Sequence, residues 1–126
     1  MGTNIELKLT TETTKIIINH DPDGIKQVLI NLIQNAAQAM ENDGIISVRI
    51  DVISNWNRHF VQISVTDNGP GISEPYKIFE PFYTTKTSGS GLGLAVTRQI
   101  IIKHGGKITA KNRDNAGAEF KISLPF

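Results

Sequence analysis

The apolar residues of two neighbouring segments fall on every second position, and this limits the fold more than any other feature of the chain. Ile46, Val48, Ile50 and Val52 alternate with Ser47, Arg49 and Asp51, and Val61, Ile63 and Val65 alternate with Gln62, Ser64 and Thr66. Successive side chains of a strand point to opposite faces, so each segment reads as a strand with one buried and one wet face. A sheet of such strands needs cover on one side. Ile25, Val28, Leu29, Leu32, Ile33, Ala36, Ala39 and Met40 recur at three- and four-residue steps, which predicts an amphipathic helix. Asp21 and Pro22 suit its cap and first turn, and it ends by Gly44. Leu92 to His104 reads as a second helix, stopped by Gly105 and Gly106. Lys107–Lys111 and Glu119–Leu124 read as closing strands, and Ile5–Leu9 with Lys15–Asn19 as a hairpin. Turn-type residues place loops at Thr10–Thr14, Asn42–Gly44 and Ser54–Asn57. The sum is an α+β fold: a two-layer α/β sandwich whose mixed, mostly antiparallel sheet is covered on one face by helices.

A chain of 126 residues fits one domain with one core. The formal net charge of +1 offers no field to gather nucleic acid or an acidic membrane surface, so neither is an expected partner. No cysteine is present, which excludes disulfides and thiolate metal sites. No apolar run reaches membrane-spanning length and no signal-peptide pattern opens the chain. The expected location is the cytoplasm, with membrane anchorage left open for a parent protein. Met1-Gly2-Thr3 reads as an added start, so the chain is expected to be a piece of a longer one.

The run from Asp67 to Gly93 carries the chemistry. It contains Asp67-Asn68-Gly69-Pro70-Gly71-Ile72, then Phe79-Glu80-Pro81-Phe82-Tyr83-Thr84-Thr85-Lys86, then Gly89-Ser90-Gly91-Leu92-Gly93-Leu94. A loop this long inside a compact domain is usually functional. A carboxylate at Asp67 can accept from the exocyclic amine of adenine, whereas guanine presents a carbonyl at that edge. Gly69 and Gly71 leave room for a ring and allow unusual backbone angles. Gly89, Gly91 and Gly93 lead into a helix start, whose backbone N–H groups can hold an anion. The spacing is neither the Rossmann fingerprint nor a Walker loop. Lys86 can reach phosphates as a point charge. Phe79, Phe82 and Tyr83 are expected to anchor the loop by packing. The plain alternatives are an Asp-Asn-Gly turn, a glycine hinge and an exposed lysine.

On the first helix Gln27, Asn31, Asn35 and Gln38 form one narrow polar stripe. It can be a solvated flank. Asn is a poor helix former, however, so two Asn in mid-helix carry a local cost. An Asn amide oxygen suits Mg²⁺ when phosphates bring most of the negative charge, and Asn35 is the expected ligand.

In order and spacing these motifs resemble the ATP-binding catalytic domain of bacterial two-component sensor histidine kinases, from about Asp21 to Phe126. The Thr84-Thr85-Lys86 variant is similar to the nitrogen-regulation type. The resemblance implies a Bergerat-type fold over residues 1–126, with Mg²⁺ and ATP as cofactors. Asn35 then matches the Mg²⁺ ligand and Asp67 the adenine carboxylate. Gly69, Gly71 and Ile72 stand beside the base, and Lys86, Gly89, Ser90, Gly91, Leu92 and Gly93 at the phosphates. Ser73–Ser88 matches the mobile lid. Asn31, Asn35 and Lys86 are the expected catalytic set. In ATP-hydrolysing relatives a Glu stands at the position of Asn31, and a carboxamide cannot serve as a general base. Transfer of the γ-phosphoryl group to a histidine is therefore expected, rather than hydrolysis.

His20, His59 and His104 lack the context of a phosphoacceptor. The acceptor is expected on a separate dimerisation domain of the same kinase, which would also dock the response regulator receiver domain. The sequence departs from the family at a short Ile72–Phe79 interval, at Ala118 where Thr is usual, and at Gln38 where some relatives place a Lys. Lys86 or Arg98 would then supply the charge. The competing readings are an autonomous chaperone- or topoisomerase-type ATPase, a non-catalytic ATP-sensing module and a protein-serine kinase.

Overall fold

Residues 4–11, 22–40, 43–81, 93–114 and 116–126 are described by the structure, a computed structural model. Among these residues, five strands and two helices follow in the order β1 (Asn4–Thr11), α1 (Pro22–Ala39), β2 (Asp43–Asn55), β3 (Arg58–Asp67), α2 (Gly93–Lys103), β4 (Lys107–Asn112) and β5 (Ala118–Pro125). The strands form one sheet in the order β1-β2-β3-β5-β4. Among the described strands only the β1–β2 pair is parallel. The α+β sandwich with a mixed, mostly antiparallel sheet is what the alternation demanded.

Period two decides which face is buried. Val61, Ile63 and Val65 of β3 lie in register with Leu124, Ile122 and Phe120 of β5, and all six are buried. Ile46 and Val48 of β2 extend the row. Val28, Leu32 and Ala36 of α1, with Met40 just past its end, fall at four-residue steps and cover this face together with Ile101 of α2. The opposite face carries Gln62, Ser64, Glu119 and Lys121 and needs no second helical layer. A short end makes α2 compact: Gly105, at φ 76°, allows Gly105 N–H to bond the Ile102 carbonyl and Gly106 N–H the Ile101 carbonyl, both at 2.9 Å.

Three local expectations change. β2 begins at Asp43, because pairing with β1 extends it through the expected Asn42–Gly44 loop. The second hairpin is tighter than Ser54–Asn57: Asn55 pairs with Arg58, leaving a two-residue turn of Trp56 and Asn57. Trp56 adopts a φ of 56° there. β1 runs through Thr10 and Thr11, the start of the expected Thr10–Thr14 loop, because both pair in parallel with β2. The expected hairpin partner Lys15–Asn19, like Asp21 and His20, lies outside the described residues.

Candidate functional site

Asp67 is the last member of the inward row of β3, opposite Ile46, and only 5% exposed. The alternation that buries Val61, Ile63 and Val65 therefore carries one carboxylate under the helices. An unpaired buried carboxylate is costly, and the chain supplies backbone donors for it. Gly69 N–H donates to Asp67 Oδ1 at 2.9 Å and Ala118 N–H to the same oxygen at 3.2 Å. Both bonds fall on Oδ1, so neither uses Oδ2. Ala118 brings no side-chain hydroxyl to this oxygen, and its contribution is the backbone N–H alone.

The turn that follows is strapped from β4. Asn112 Nδ2 donates to the Ile72 carbonyl at 2.8 Å, and Ile72 N–H donates to Asn112 Oδ1 at 2.6 Å. One side chain thus satisfies both backbone groups of Ile72, as a neighbouring strand would. Arg113 Nη1 donates to the Asp67 carbonyl at 2.8 Å, while Arg113 N–H closes the β4–β5 turn onto the Gly117 carbonyl at 2.9 Å. Asn68 Oδ1 accepts from Ile45 N–H at 2.9 Å. Gly69 and Gly71 do leave room, but the protein itself fills it on the Cβ side. A Cβ on Gly69 would lie 2.7 Å from Met40 Cγ, and one on Gly71 would lie 2.6 Å from Asn112 Oδ1. Replacing Asn112 with Ala removes two hydrogen bonds and should lower stability by roughly 2 kcal/mol. A denaturation midpoint equal to the parent's would show that the strap carries no load.

On α1 the polar stripe divides. Gln27 and Gln38 are exposed, while Asn31 and Asn35 are half-buried. Gln27 Nε2 donates to Asn31 Oδ1 at 2.9 Å, and Asn31 Nδ2 donates to Thr97 Oγ1 at 3.1 Å. Thr97 Oγ1 donates in turn to the Gly93 carbonyl at 2.9 Å. Helix α1 and the residue after it therefore reach both ends of the glycine-flanked run: Met40 lies at Gly69, and Asn31 bonds Thr97, which bonds the Gly93 carbonyl. Asn35 lies between these two contacts along the helix. A Cβ on Gly93 would meet nothing within 4 Å, so packing does not demand glycine there.

Lys86, Gly89, Ser90, Gly91 and Leu92, with Phe82 and Tyr83, lie outside the described residues. Phe79 packs edge-on against Phe120 of β5, with ring centres 6.1 Å apart, which anchors the near part of the loop as expected. Between Asn68 and Pro81 the described loop holds only turns, with Lys77 N–H bonded to the Glu74 carbonyl and Glu80 N–H to the Lys77 carbonyl. His59 and His104 have structural partners, Ser54 Oγ at 2.8 Å and the Ile100 carbonyl at 2.7 Å.

The chain matches the family of histidine kinase-, DNA gyrase B- and HSP90-like ATPases over residues 20–126. It belongs to this family. Within the family it is similar to the sensor histidine kinase ZraS of Escherichia coli O157:H7, 43% identical over 123 residues that cover 96% of this chain and 26% of ZraS. The chain thus spans about a quarter of the length of this curated relative. The catalytic domain of histidine kinase ThkA, in a nucleotide-free form, superposes with a TM-score of 0.85 at 41% identity, covering 98% of this chain and 80% of that one. The structure of ThkA in complex with the response regulator protein TrrA aligns at 39% identity and a TM-score of 0.78, covering 96% of this chain and 34% of that one. The five-stranded sheet and its two helices are those of a histidine kinase catalytic domain, and the fold expected from the motifs holds. Sequence reasoning found the ATPase motifs but missed Asn112, Arg113 and Thr97. Thr97 carried a weak signal, a hydroxyl four residues before the buried Ile101 on the apolar stripe of α2.

Proposed function

We propose that this domain binds ATP with Mg²⁺ and donates the γ-phosphoryl group to a histidine on a separate dimerisation domain. The observation that carries the reading is the Asp67 carboxylate. It is buried at a strand end, its Oδ1 is held by two backbone N–H groups, and neither bond occupies Oδ2. An ionised acceptor fixed in this way suits the exocyclic amine of adenine, and a bond of this kind contributes about 1.5–3 kcal/mol. Gly93 and the residues before it would face the phosphates, with Lys86 as the nearby positive charge.

The donor set fits Mg²⁺ bound chiefly through phosphates. Among the described residues no group of three or more His, Cys, Asp or Glu can hold a metal alone. Asn35 would offer one amide oxygen, which is enough where phosphates and water complete the shell. Bound there, Mg²⁺ would neutralise phosphate charge. Asn31 has no carboxylate to take a proton from water, and both ends of its amide are engaged. That favours donation to a nucleophile that needs no activation, a neutral imidazole, over hydrolysis. The chain's own contribution is to bind and orient ATP.

Among the described residues no helix is long and apolar enough to cross a membrane. We place the domain in the cytoplasm, with the receiver domain of a response regulator docking through the dimerisation domain. The nitrogen-regulation subtype rests on Thr84-Thr85-Lys86 alone. Mixing this chain with the matched acceptor hairpin and labelled ATP should give Mg²⁺-dependent phosphohistidine, and Asn35→Ala should weaken the Mg²⁺ dependence of ATP binding. Steady hydrolysis by the domain alone, without label on the hairpin, would overturn the kinase reading in favour of an autonomous ATPase.

A further inference from the structure

Asn31 and Thr97 lie 66 residues apart in the chain, yet a hydrogen bond joins them. The three bonds from Gln27 to Gly93 run head to tail: amide N–H to amide oxygen, amide N–H to hydroxyl oxygen, hydroxyl to backbone carbonyl. Neither central residue is a choice that packing or helix propensity would make. Thr97 is fully buried, where Val would fill the same space without a hydroxyl to satisfy. Asn31 stands in mid-helix, where Asn is unfavourable. A threonine bonding back to the carbonyl four residues earlier is common. Accepting from a second helix at the same time is what ties α1 to the first residue of α2.

We propose that Thr97 and Asn31 are positioning residues that hold the phosphate-side start of α2 against the turn of α1 bearing Asn35. The inference rests on the ATP-binding reading above. The relay also has a fixed polarity. Asn31 must donate to Thr97 so that the Thr97 hydroxyl is free to donate to Gly93. A carboxylate at position 31 has no N–H to give, and it would draw the Thr97 hydroxyl to itself and release the Gly93 carbonyl. The residue that denies the site a general base thus also locks the two helices together.

The test compares Mg²⁺-ATP with adenosine, which carries no phosphates. Thr97→Val should weaken Mg²⁺-ATP binding by about fivefold to tenfold, as expected for one buried hydrogen bond. Adenosine binding should stay within about twofold, and Thr97→Ser should restore the parent's ATP affinity. Asn31→Ala should resemble Thr97→Val, and the double variant should be no weaker than the weaker single one, because one relay is being broken twice. Unchanged ATP affinity in Thr97→Val would overturn the proposal. So would equal loss of ATP and adenosine, or additive losses in the double variant. If Thr97→Val does not fold, Asn31→Ala carries the same comparison of ligands; loss of fold in both would assign the pair a purely structural role and overturn it. A parent chain that binds no Mg²⁺-ATP defeats the ATP reading itself. A parent that binds while Thr97→Val is indifferent defeats only the relay.

Discussion

Replacing Asp67 with Asn should cost roughly 10- to 100-fold in ATP affinity while leaving the denaturation midpoint within a few degrees of the parent's. The two effects separate because the two oxygens do different work. Oδ1 accepts from Gly69 N–H and Ala118 N–H, and an Asn oxygen can keep both bonds. The other position would become an NH₂ group, which repels the adenine amine that Oδ2 is proposed to accept. Loss of a hydrogen bond to an ionised group, about 1.5–3 kcal/mol, sets the size of the drop. The same variant should lose its preference for ATP over GTP. Titration calorimetry with both nucleotides checks this, and a variant that still prefers ATP at the parent's affinity would remove Asp67 from the adenine site. Asp67→Ala is the less informative change, because it also strips the two N–H groups of their acceptor.

The largest loss of stability is expected from Gly117→Ala. Gly117 has a φ of 88°, a region that L side chains rarely adopt. A Cβ there would overlap the Asp67 carbonyl oxygen and lie 2.7 Å from its carbon and 2.9 Å from Oδ1. Most of these atoms are backbone at the end of a central strand, so no flexible side chain can yield. Strain and overlap together should remove roughly 3–5 kcal/mol, a large share of a small domain's total. Urea unfolding should show an early transition, and any folded fraction should bind ATP poorly because Asp67 is displaced. A midpoint near the parent's would mean that the β4–β5 turn can move away from β3 at little cost.

The two periods in the sequence explain how much was legible. Alternation named the strands and the buried face, but that Asp67 continues the inward row is seen only in the register of β3 and in its burial. Three- and four-residue steps named the first helix, and the Gly105-Gly106 stop marked the end of the second. What escaped has no period. The bonds of Asn112 to Ile72 span 40 residues, and each joins a side chain to backbone. The Arg113 contact to the Asp67 carbonyl spans 46. Such contacts exist only once the strand order brings β4 and the end of β3 to one corner. The β2 boundaries shifted for the same reason: Asp43 and Gly44 look like turn residues until β1 pairs beside them. Gly69 and Gly71 were read as space for a ligand, yet their missing side chains make space for Met40 and Asn112.

Strand order also sets a schedule. β5 lies between β3 and β4 in the sheet although it follows both in the chain. As a ribosome releases the polypeptide, β3 must wait with one edge open, and β4 without a partner among the described strands, until Ala118–Pro125 emerges. Ala118 then supplies one of the two N–H groups that hold the Asp67 carboxylate. The proposed nucleotide pocket would thus be completed by the last strand of the sheet to emerge, and a partly made domain would lack the finished site proposed to engage ATP.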